Sequence, residues 1–386
     1  MVIVRVRVEP DLLQWAVERA GWSEETIAQR VPHLEEWLAG SARPTLKQLE
    51  RFAHATHAPL GLLFLPEPPE EPVPIPDMRT LGNRAITRPS VDLLETIYSC
   101  QSRQEWYRSY ATTHGLPEVD FVGSADTSVT PERVAAQIRQ MLNFELGDRS
   151  AFNSWDDARR KLIDRIEKIG VLVMVSGIVG TDTHRRLKPE EFRGFALVEP
   201  AAPLIFINGA DTKAAQIFTM VHELAHVWLG ESALSDAAMA RPSDNDAELW
   251  CNRVAAEVLV PLAEIRTEYR GEPAITELER LARKYRVSTL VILKRLYDAR
   301  FFLSWDDYQE HYDGELHRVI ALKAGRGDSE GGDFYNSQPI RLSRQFARAV
   351  IADTFEGRTP YRDAYHLLGT KKHQTFQTLV EKIGAA

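Results

Sequence analysis

The chain has 386 residues, which is long enough for two or three domains that each bury a core. An apolar share of 44% and a charged share of 26% are typical of a globular protein, and no apolar run reaches the about 18 residues that a transmembrane helix needs. The net charge of −8 argues against a chain that coats nucleic acid, and the start MVIVRVRVEP lacks the apolar core of a secretory signal. With only Cys100 and Cys251 available, a disulfide framework is excluded and a reducing cytoplasm is the expected location.

Residues 1–65 are predicted to form a helical domain, because four segments carry apolar residues at helical spacing: LLQWAVERA, SEETIAQRV, LEEWLAG and TLKQLERFAHAT. Ser23 and Thr45 stand where helix N-caps are expected. The next stretch, PEPPEEPVPIP, has six prolines in eleven residues, and proline fixes φ and removes a backbone donor. Residues 66–89 are therefore predicted to be an extended linker that belongs to no core.

Residues 90–312 are predicted to form the central domain. Helical segments run from about Ser90 to Asn143, and a further helix, SWDDARRKLIDRIEKIG, is expected to begin at Ser154 and to end at Gly170. Three β-branched runs then predict a small sheet: VLVMVSGIVG, GFALV and PLIFING. The helices ADTKAAQIFTMVHELAHVWLG and DAELWCNRVAAEVLV follow, with a helix pair after Ile275. The predicted fold class is α+β and predominantly helical.

The remaining residues are predicted to form a Gly-rich linker, 313–333, and a basic helical module, 334–386. In this module eight basic side chains face four acidic ones, a net charge of +4, and RLSRQFARAV places Arg341, Arg344 and Arg348 at helical spacing. The simpler interpretation is a solvated helical face. The functional interpretation is a basic surface for nucleic acid or an acidic partner.

The stretch TMVHELAHVWLGE places His222 and His226 four residues apart, on one face of a helix, so that both imidazoles can meet one ion. Glu223 is rotated by about 100° and can reach a water on that ion. The alternative is a pair of hydrogen-bonded histidines on a half-buried helix. The metal site is favoured because the motif stands on a periodic helix that follows a strand.

A third ligand is expected from the downstream helix, which would leave a fourth position open for water. Glu248 is the first candidate, and Asp246 and Glu257 compete with it. Asn252 stands one turn after Glu248, where it could hold a ligand imidazole by a hydrogen bond.

The chemistry that such a site performs is amide hydrolysis. A zinc ion, with manganese as the alternative, lowers the pKa of its bound water to about 7 and polarises a carbonyl. Glu223 would take the proton of the attacking water and pass it to the leaving amine. The strand predicted for PLIFING could pair along its edge with an extended peptide substrate. The side chain that stabilises the oxyanion stays open, with His311 and Tyr335 among the candidates.

The segments FTMVHELAHVWLG and AELWCNRVAAEVLVP resemble the paired signatures of the ImmA/IrrE family of metallo-endopeptidases. PTLKQLERFAHATHAPLGLLFLPEPP, EEFRGFALV and GGDFY resemble parts of its longer members, which carry an N-terminal Xre-type helix-turn-helix domain. The resemblance implies a zincin-like catalytic domain of the gluzincin type, with His222, His226 and Glu248 as metal ligands and Glu223 as the base. Characterised relatives cleave a repressor or regulator at a single bond. The implied substrate is therefore a protein, a repressor or a neighbouring-gene product.

Residues 1–65 depart from the Xre pattern where a recognition helix is expected. Only VPHLEEWLA lies between the second helix and the turn at Gly40, and it carries Glu35 and Glu36. Seven basic and eight acidic side chains give this domain a net charge of −1, whereas phosphate contacts need a basic surface. Protein docking or self-association is favoured over DNA binding.

A second class of function is a transcriptional regulator or an antitoxin-like binding protein, with a vestigial or latent peptidase site and terminal modules that bind DNA or a toxin. The peptidase is favoured because His222, Glu223, His226 and the candidate Glu248 are all present.

Overall fold

The computed structural model describes residues 4–78, 89–149, 152–235, 245–324 and 341–383. The chain divides into two units, one from residues 1–74 and 86–97 and the other from residues 75–85 and 98–386. Among the described residues no helix is long and apolar enough to cross a membrane.

The first unit is helical, as predicted. Its described elements are α1 (Pro10–Arg19), α2 (Glu24–Arg30), α3 (Leu34–Leu38), α4 (Leu46–Thr56) and a 3₁₀ turn (Leu60–Phe64). The hydroxyl of Ser23 accepts the Thr26 N–H, and Thr45 forms a capping box with Gln48, so both predicted helix starts are confirmed. Helix α3 has only five residues, which confirms that the third helix is short.

Part of the predicted linker contacts the first unit. Leu12, Leu13 and Leu49 are fully buried in the core of this unit. Glu71, which lies in the proline-rich stretch, accepts hydrogen bonds from Arg19 Nε at 2.6 Å and Nη2 at 3.0 Å, and both side chains are largely buried. The segment predicted as a linker is therefore attached to the first unit at Glu71 by an ion pair, and Glu71 is not a member of the apolar core.

The second unit contains the sheet of the protein. Its strands are β1 (Leu172–Ser176), β2 (Gly194–Leu197), β3 (Leu204–Asn208) and β4 (Ala233–Ser235). The strand order is β1-β3-β2-β4, with β1 parallel to β3 and the other two pairs antiparallel. The three predicted strands are confirmed, whereas β4 was not predicted. Because β3 has a neighbour on both sides, the prediction that the edge of PLIFING pairs with a substrate is wrong.

The second unit also contains helices, the first of which, α5, begins in the first unit. In chain order they are α5 (Val91–Thr113), α6 (Pro131–Met141), α7 (Leu146–Arg149), α8 (Trp155–Lys168), α9 (Lys213–Leu229), α10 (Asp246–Leu259), α11 (Leu262–Glu268), α12 (Ile275–Tyr285), α13 (Thr289–Asp298), α14 (Trp305–Ala324), α15 (Arg344–Phe355), α16 (Tyr361–Leu367) and α17 (His373–Ile383). Helix α9 packs on β2 and β3, and α10 and α8 pack on α9. A small mixed sheet under the long helix α9 is the arrangement expected of a zincin-like α+β fold, which confirms the predicted fold class.

The outer edge of β4 is covered by the chain itself. The Leu234 N–H donates to the Pro76 carbonyl at 2.9 Å, and the Met78 N–H donates to the Leu234 carbonyl at 3.0 Å, so that Asp77 forms a parallel bridge with Leu234. Residues 76–78 therefore extend the sheet by a short strand-like segment, which corrects the linker prediction.

The C-terminal part of the second unit differs from its prediction in one boundary. Residues 313–324 lie in α14 and not in a linker, while residues 325–333 and Tyr335 lie outside the described residues. The helices of the predicted module pack on earlier elements of the same unit: Gln345 Nε2 donates to Tyr107 Oη at 2.7 Å, and the Arg344 N–H donates to Glu167 at 3.0 Å.

Candidate metal centre

Helix α9 carries the HExxH sequence through the centre of the second unit. Its first turn is capped by Thr212, whose hydroxyl accepts the Ala215 N–H, and it ends at Gly230 with φ of 76°. Both His222 and His226 are fully buried, at 0% exposure. A histidine with no access to solvent needs a partner for each ring nitrogen, because an unpaired buried polar atom is costly.

Helix α10 brings a carboxylate to these imidazoles. The side chain of Asn245 caps this helix by accepting the N–H groups of Ala247 and Glu248, which fixes the first turn. Glu248 is 2% exposed, with Oε2 3.3 Å from His222 Nε2 and Oε1 3.1 Å from His226 Nε2. The two Nε2 atoms are 3.2 Å apart.

The competing ligands lie elsewhere. Asp246 is exposed, and Glu257 accepts hydrogen bonds from the buried Arg295 and from the Leu262 N–H. Only Glu248 of the three carboxylates joins the cluster of mutually close donor atoms with His222 and His226. Glu248, the first candidate from the sequence, is therefore the carboxylate that lies next to the two imidazoles.

The donor set fits a divalent ion of the zinc type. A tetrahedral ion with bonds of about 2.0–2.1 Å separates its ligand atoms by about 3.3 Å, close to the spacings within this cluster. Hydrogen bonds from the two Nε2 atoms to the Glu248 oxygens can also connect these groups, but the close approach of all three donor groups is the arrangement that a shared ion requires. Two imidazole nitrogens and one carboxylate are also the ligand types that zinc accepts, with a fourth position left for water.

The electrostatics of Glu248 support the same arrangement. Burial by itself raises the pKa of the Glu248 carboxyl, but the charge of His222 and hydrogen bonds from both imidazoles outweigh burial and hold this pKa far below 4.5. Burial lowers the pKa of His226, opposed by its hydrogen bond to Glu248. Glu248 is therefore ionised and His226 is favoured in its neutral form, which are the states that bind a metal.

Glu223 lies beside this cluster as a carboxylate with a free oxygen. It is 0% exposed, Oε2 accepts the Ser235 hydroxyl at 3.4 Å, and Oε1 has no hydrogen-bond partner among the described residues. Burial raises the pKa of Glu223 well above 4.5, and the negative charge of Glu248 raises it further. A carboxyl with a raised pKa and an unpartnered oxygen can accept and return a proton.

Two residues next to Glu223 were missed in the sequence. A β-carbon at Gly194 would stand 2.8 Å from Glu223 Oε1 and 2.7 Å from Thr219 Cγ2, so only glycine fits there. Ser235 lies opposite Gly194 in the sheet, and its hydroxyl is 3.4 Å from His226 Nε2 as well as from Glu223. The glycine of RGFALV was the one available signal, because a glycine inside a strand often marks a close approach.

The predicted hydrogen bond from Asn252 is not made among the described residues. Asn252 Oδ1 is buried without a partner, and so are the Nδ1 atoms of His222 and His226. Two of the three arginines predicted for a partner surface have partners within the chain: Arg344 Nη1 lies 3.4 Å from Asp164, and Arg348 donates to the Ile383 carbonyl at 3.3 Å. Arg341 is half-buried, and His311 is exposed on α14 and is not a member of the donor cluster.

Comparison with known proteins identifies a peptidase family for part of the chain. Residues 166–297 match the sequence profile of a peptidase family that is described as the IrrE N-terminal-like domain. This span includes the sheet, α9 and α10, so it supports a metallopeptidase-type enzyme that needs a divalent metal. For this part of the chain the match also supports the resemblance to the ImmA/IrrE family, whereas residues 1–65 lie outside it. Residues 342–382 match a domain of unknown function (DUF8813), and no curated protein matches the chain.

Proposed function

We propose that the protein is a zinc-dependent endopeptidase that cleaves a regulatory protein partner. The observation that carries the proposal is the convergence of three buried donor groups, from His222, His226 and Glu248, beside the free carboxylate oxygen of Glu223. Zinc is the first choice for the metal and manganese the second.

The roles of the residues follow from their positions. His222, His226 and Glu248 would hold the ion, which supplies polarisation of the substrate carbonyl and acidification of a water. Glu223 accepts the proton of the attacking water and delivers it to the leaving amine, a role for which its Oε1 has no competing hydrogen-bond partner among the described residues. The Ser235 hydroxyl orients the carboxylate of Glu223 through Oε2.

The substrate class is inferred from the surroundings of the site and from the resemblance. Strand β4, whose Ser235 contacts Glu223 and His226, is an outer strand of the sheet, and an outer strand is where an extended peptide can add once its edge is free. A repressor, or the product of a neighbouring gene, is the substrate that the ImmA/IrrE resemblance favours. The two cysteines are free and buried, which agrees with a location in a reducing compartment.

A regulator that binds DNA through its first unit is less well supported. Helix α3, which would read the major groove, has five residues and presents Glu35 and Glu36 in its first turn. Recognition helices carry basic or amide side chains to the bases and phosphates.

Metal analysis and cleavage of a neighbouring-gene product test the proposal together. The wild type should hold about one zinc per chain, His222→Ala should lose it, and the exposed His184→Ala should keep it. Glu223→Gln should keep the zinc and lose cleavage by at least about a hundredfold, while Glu231→Gln, an exposed carboxylate just after α9, should cleave normally. A wild type that binds no metal, or a Glu223→Gln protein as active as wild type, would overturn the proposal.

A further inference from the structure

The edge of the sheet nearest to the candidate metal centre belongs to β4. Ser235 of this strand is 3.4 Å from both Glu223 Oε2 and His226 Nε2, so β4 touches the proposed base and a proposed ligand. The other outer strand of the four-stranded sheet, β1, lies three strands away, at about 4.8 Å per strand. A peptide that adds to the sheet next to the site must therefore add to the outer edge of β4.

This edge is already paired. Leu234 directs one N–H and one C=O outwards, and both are bonded to residues 76–78, which we call the strap. The Leu234 N–H donates to the Pro76 carbonyl at 2.9 Å, and the Leu234 carbonyl accepts the Met78 N–H at 3.0 Å. A second peptide cannot form these two bonds while the strap holds them.

The sequence of the strap limits how firmly it is held. In a strand, every second residue directs its backbone groups towards the same neighbour. Pro72, Pro74 and Pro76 occupy these alternate positions before Met78, and none of them has an N–H. Pairing with β4 therefore cannot continue towards the N-terminus as a full ladder. The backbone pairing of the strap with β4 is therefore short, which suits an occupant that has to leave.

We infer that the strap occupies the strand-accepting surface of the peptidase, so that the protein in this conformation is self-inhibited and an extended peptide binds after the strap departs. The inference rests on the proposed function, because it takes the cluster at His222 to be the catalytic centre. The strap begins two residues after Pro74, where the first segment of the first unit ends. A partner that binds this segment is therefore connected to the strap through one intervening residue, Ile75.

The variant that tests the strap is Met78→Pro in the full-length protein, because it removes the N–H that Leu234 accepts. Its matched control is Met78→Ala, which shortens the side chain and keeps the N–H. Hydrogen exchange of the β4 amides, read by mass spectrometry, should become about tenfold faster in Met78→Pro and stay unchanged in Met78→Ala, as expected for the loss of one backbone hydrogen bond. This measurement needs neither metal nor substrate.

The second measurement is binding of leucyl-leucine hydroxamate to the zinc-loaded proteins by calorimetry. Its affinity should rise about tenfold in Met78→Pro, because a larger share of molecules has a free edge, and stay at the wild-type value in Met78→Ala. A synthetic peptide of residues 70–78, added to Met78→Pro, should reverse both effects, and the same peptide with proline at position 78 should not.

The outcomes separate the inference from the proposed function. The inference alone is overturned if hydrogen exchange of the β4 amides is unchanged in Met78→Pro. It is also overturned if exchange becomes faster but Met78→Pro binds the hydroxamate no more tightly than the wild type does. If exchange becomes faster but no zinc-treated protein binds the hydroxamate, the proposed function fails and the inference fails with it.

Discussion

Gly194 and Glu223 are so close that a β-carbon at residue 194 would stand 2.8 Å from Glu223 Oε1. The same β-carbon would also meet the Phe206 carbonyl at 2.9 Å, so the strand cannot simply move away. Glu223, the proposed base, can therefore occupy its position because residue 194 on β2 has no side chain. Its other oxygen is held by Ser235 on β4.

Gly194→Ala should lower cleavage strongly while the metal stays bound. The added methyl group displaces the carboxylate of Glu223, and a displacement of about 1 Å at a catalytic group can reduce kcat by about a hundredfold. The measurement is kcat together with zinc content. Gly314→Ala on α14 is the control, because a β-carbon there has nothing within 4 Å, and it should cleave like wild type. A Gly194→Ala protein with normal kcat would contradict this account of Glu223.

Ser235→Ala should reduce kcat by about tenfold and leave KM unchanged, because it removes one hydrogen bond that orients the Glu223 carboxylate. Zinc content should not change, since Ser235 is not among the donors of the metal cluster. The exposed Ser102→Ala on α5 serves as the control. If KM changes and kcat does not, Ser235 contacts the substrate and does not position Glu223.

Stability should depend on pH through Glu167, which lies at the contact between α8 and α15. Burial raises the pKa of Glu167 from 4.5 to about 7, against the hydrogen bonds from Ser343 and the Arg344 N–H. Between these two values the folded protein keeps a proton that the unfolded chain has released. The free energy of unfolding therefore falls as pH rises through this window and becomes level above it.

Glu167→Gln removes this dependence. At pH 8 it should be more stable than wild type, by on the order of 1–3 kcal/mol, since one pKa unit corresponds to about 1.4 kcal/mol. At pH 4 the two proteins should be equally stable. Urea unfolding at several pH values measures the difference, and Glu132→Gln, an exposed carboxylate on α6, should follow wild type. A difference that does not shrink towards low pH would show that ionisation of Glu167 is not its cause.

The features that sequence predicted well depend on local signals. Helix α9 begins at a threonine cap, Thr212, and ends at a left-handed glycine, Gly230, and both lie within or next to the segment itself. The spacing of His222, Glu223 and His226 is likewise a property of one helix, so their relative directions follow from 3.6 residues per turn.

The features that sequence missed depend on distant neighbours. Strand β4 has three residues and no alternating pattern of useful length, so only its pairing with β2 defines it. The strap was missed because its prolines indicate a linker, whereas Pro76 needs only its carbonyl to pair with Leu234. The choice between Glu248 and Glu257 also required the fold, because the partner of Glu257, Arg295, lies on α13.

Zinc should stabilise the second unit, because the ion binds a cluster that exists only in the folded chain. A ligand present at a thousand times its Kd stabilises by about 4 kcal/mol, so the apparent Tm of the protein stripped by a chelator should rise by several degrees when zinc is restored. Glu248→Gln weakens one ligand and should lose most of this rise. His184→Ala, on an exposed turn, should keep it. If a protein shown to be folded has the same Tm with and without zinc, the prediction is contradicted. His222, His226 and Glu248 would then be held together by hydrogen bonds alone, and the buried cluster would be structural.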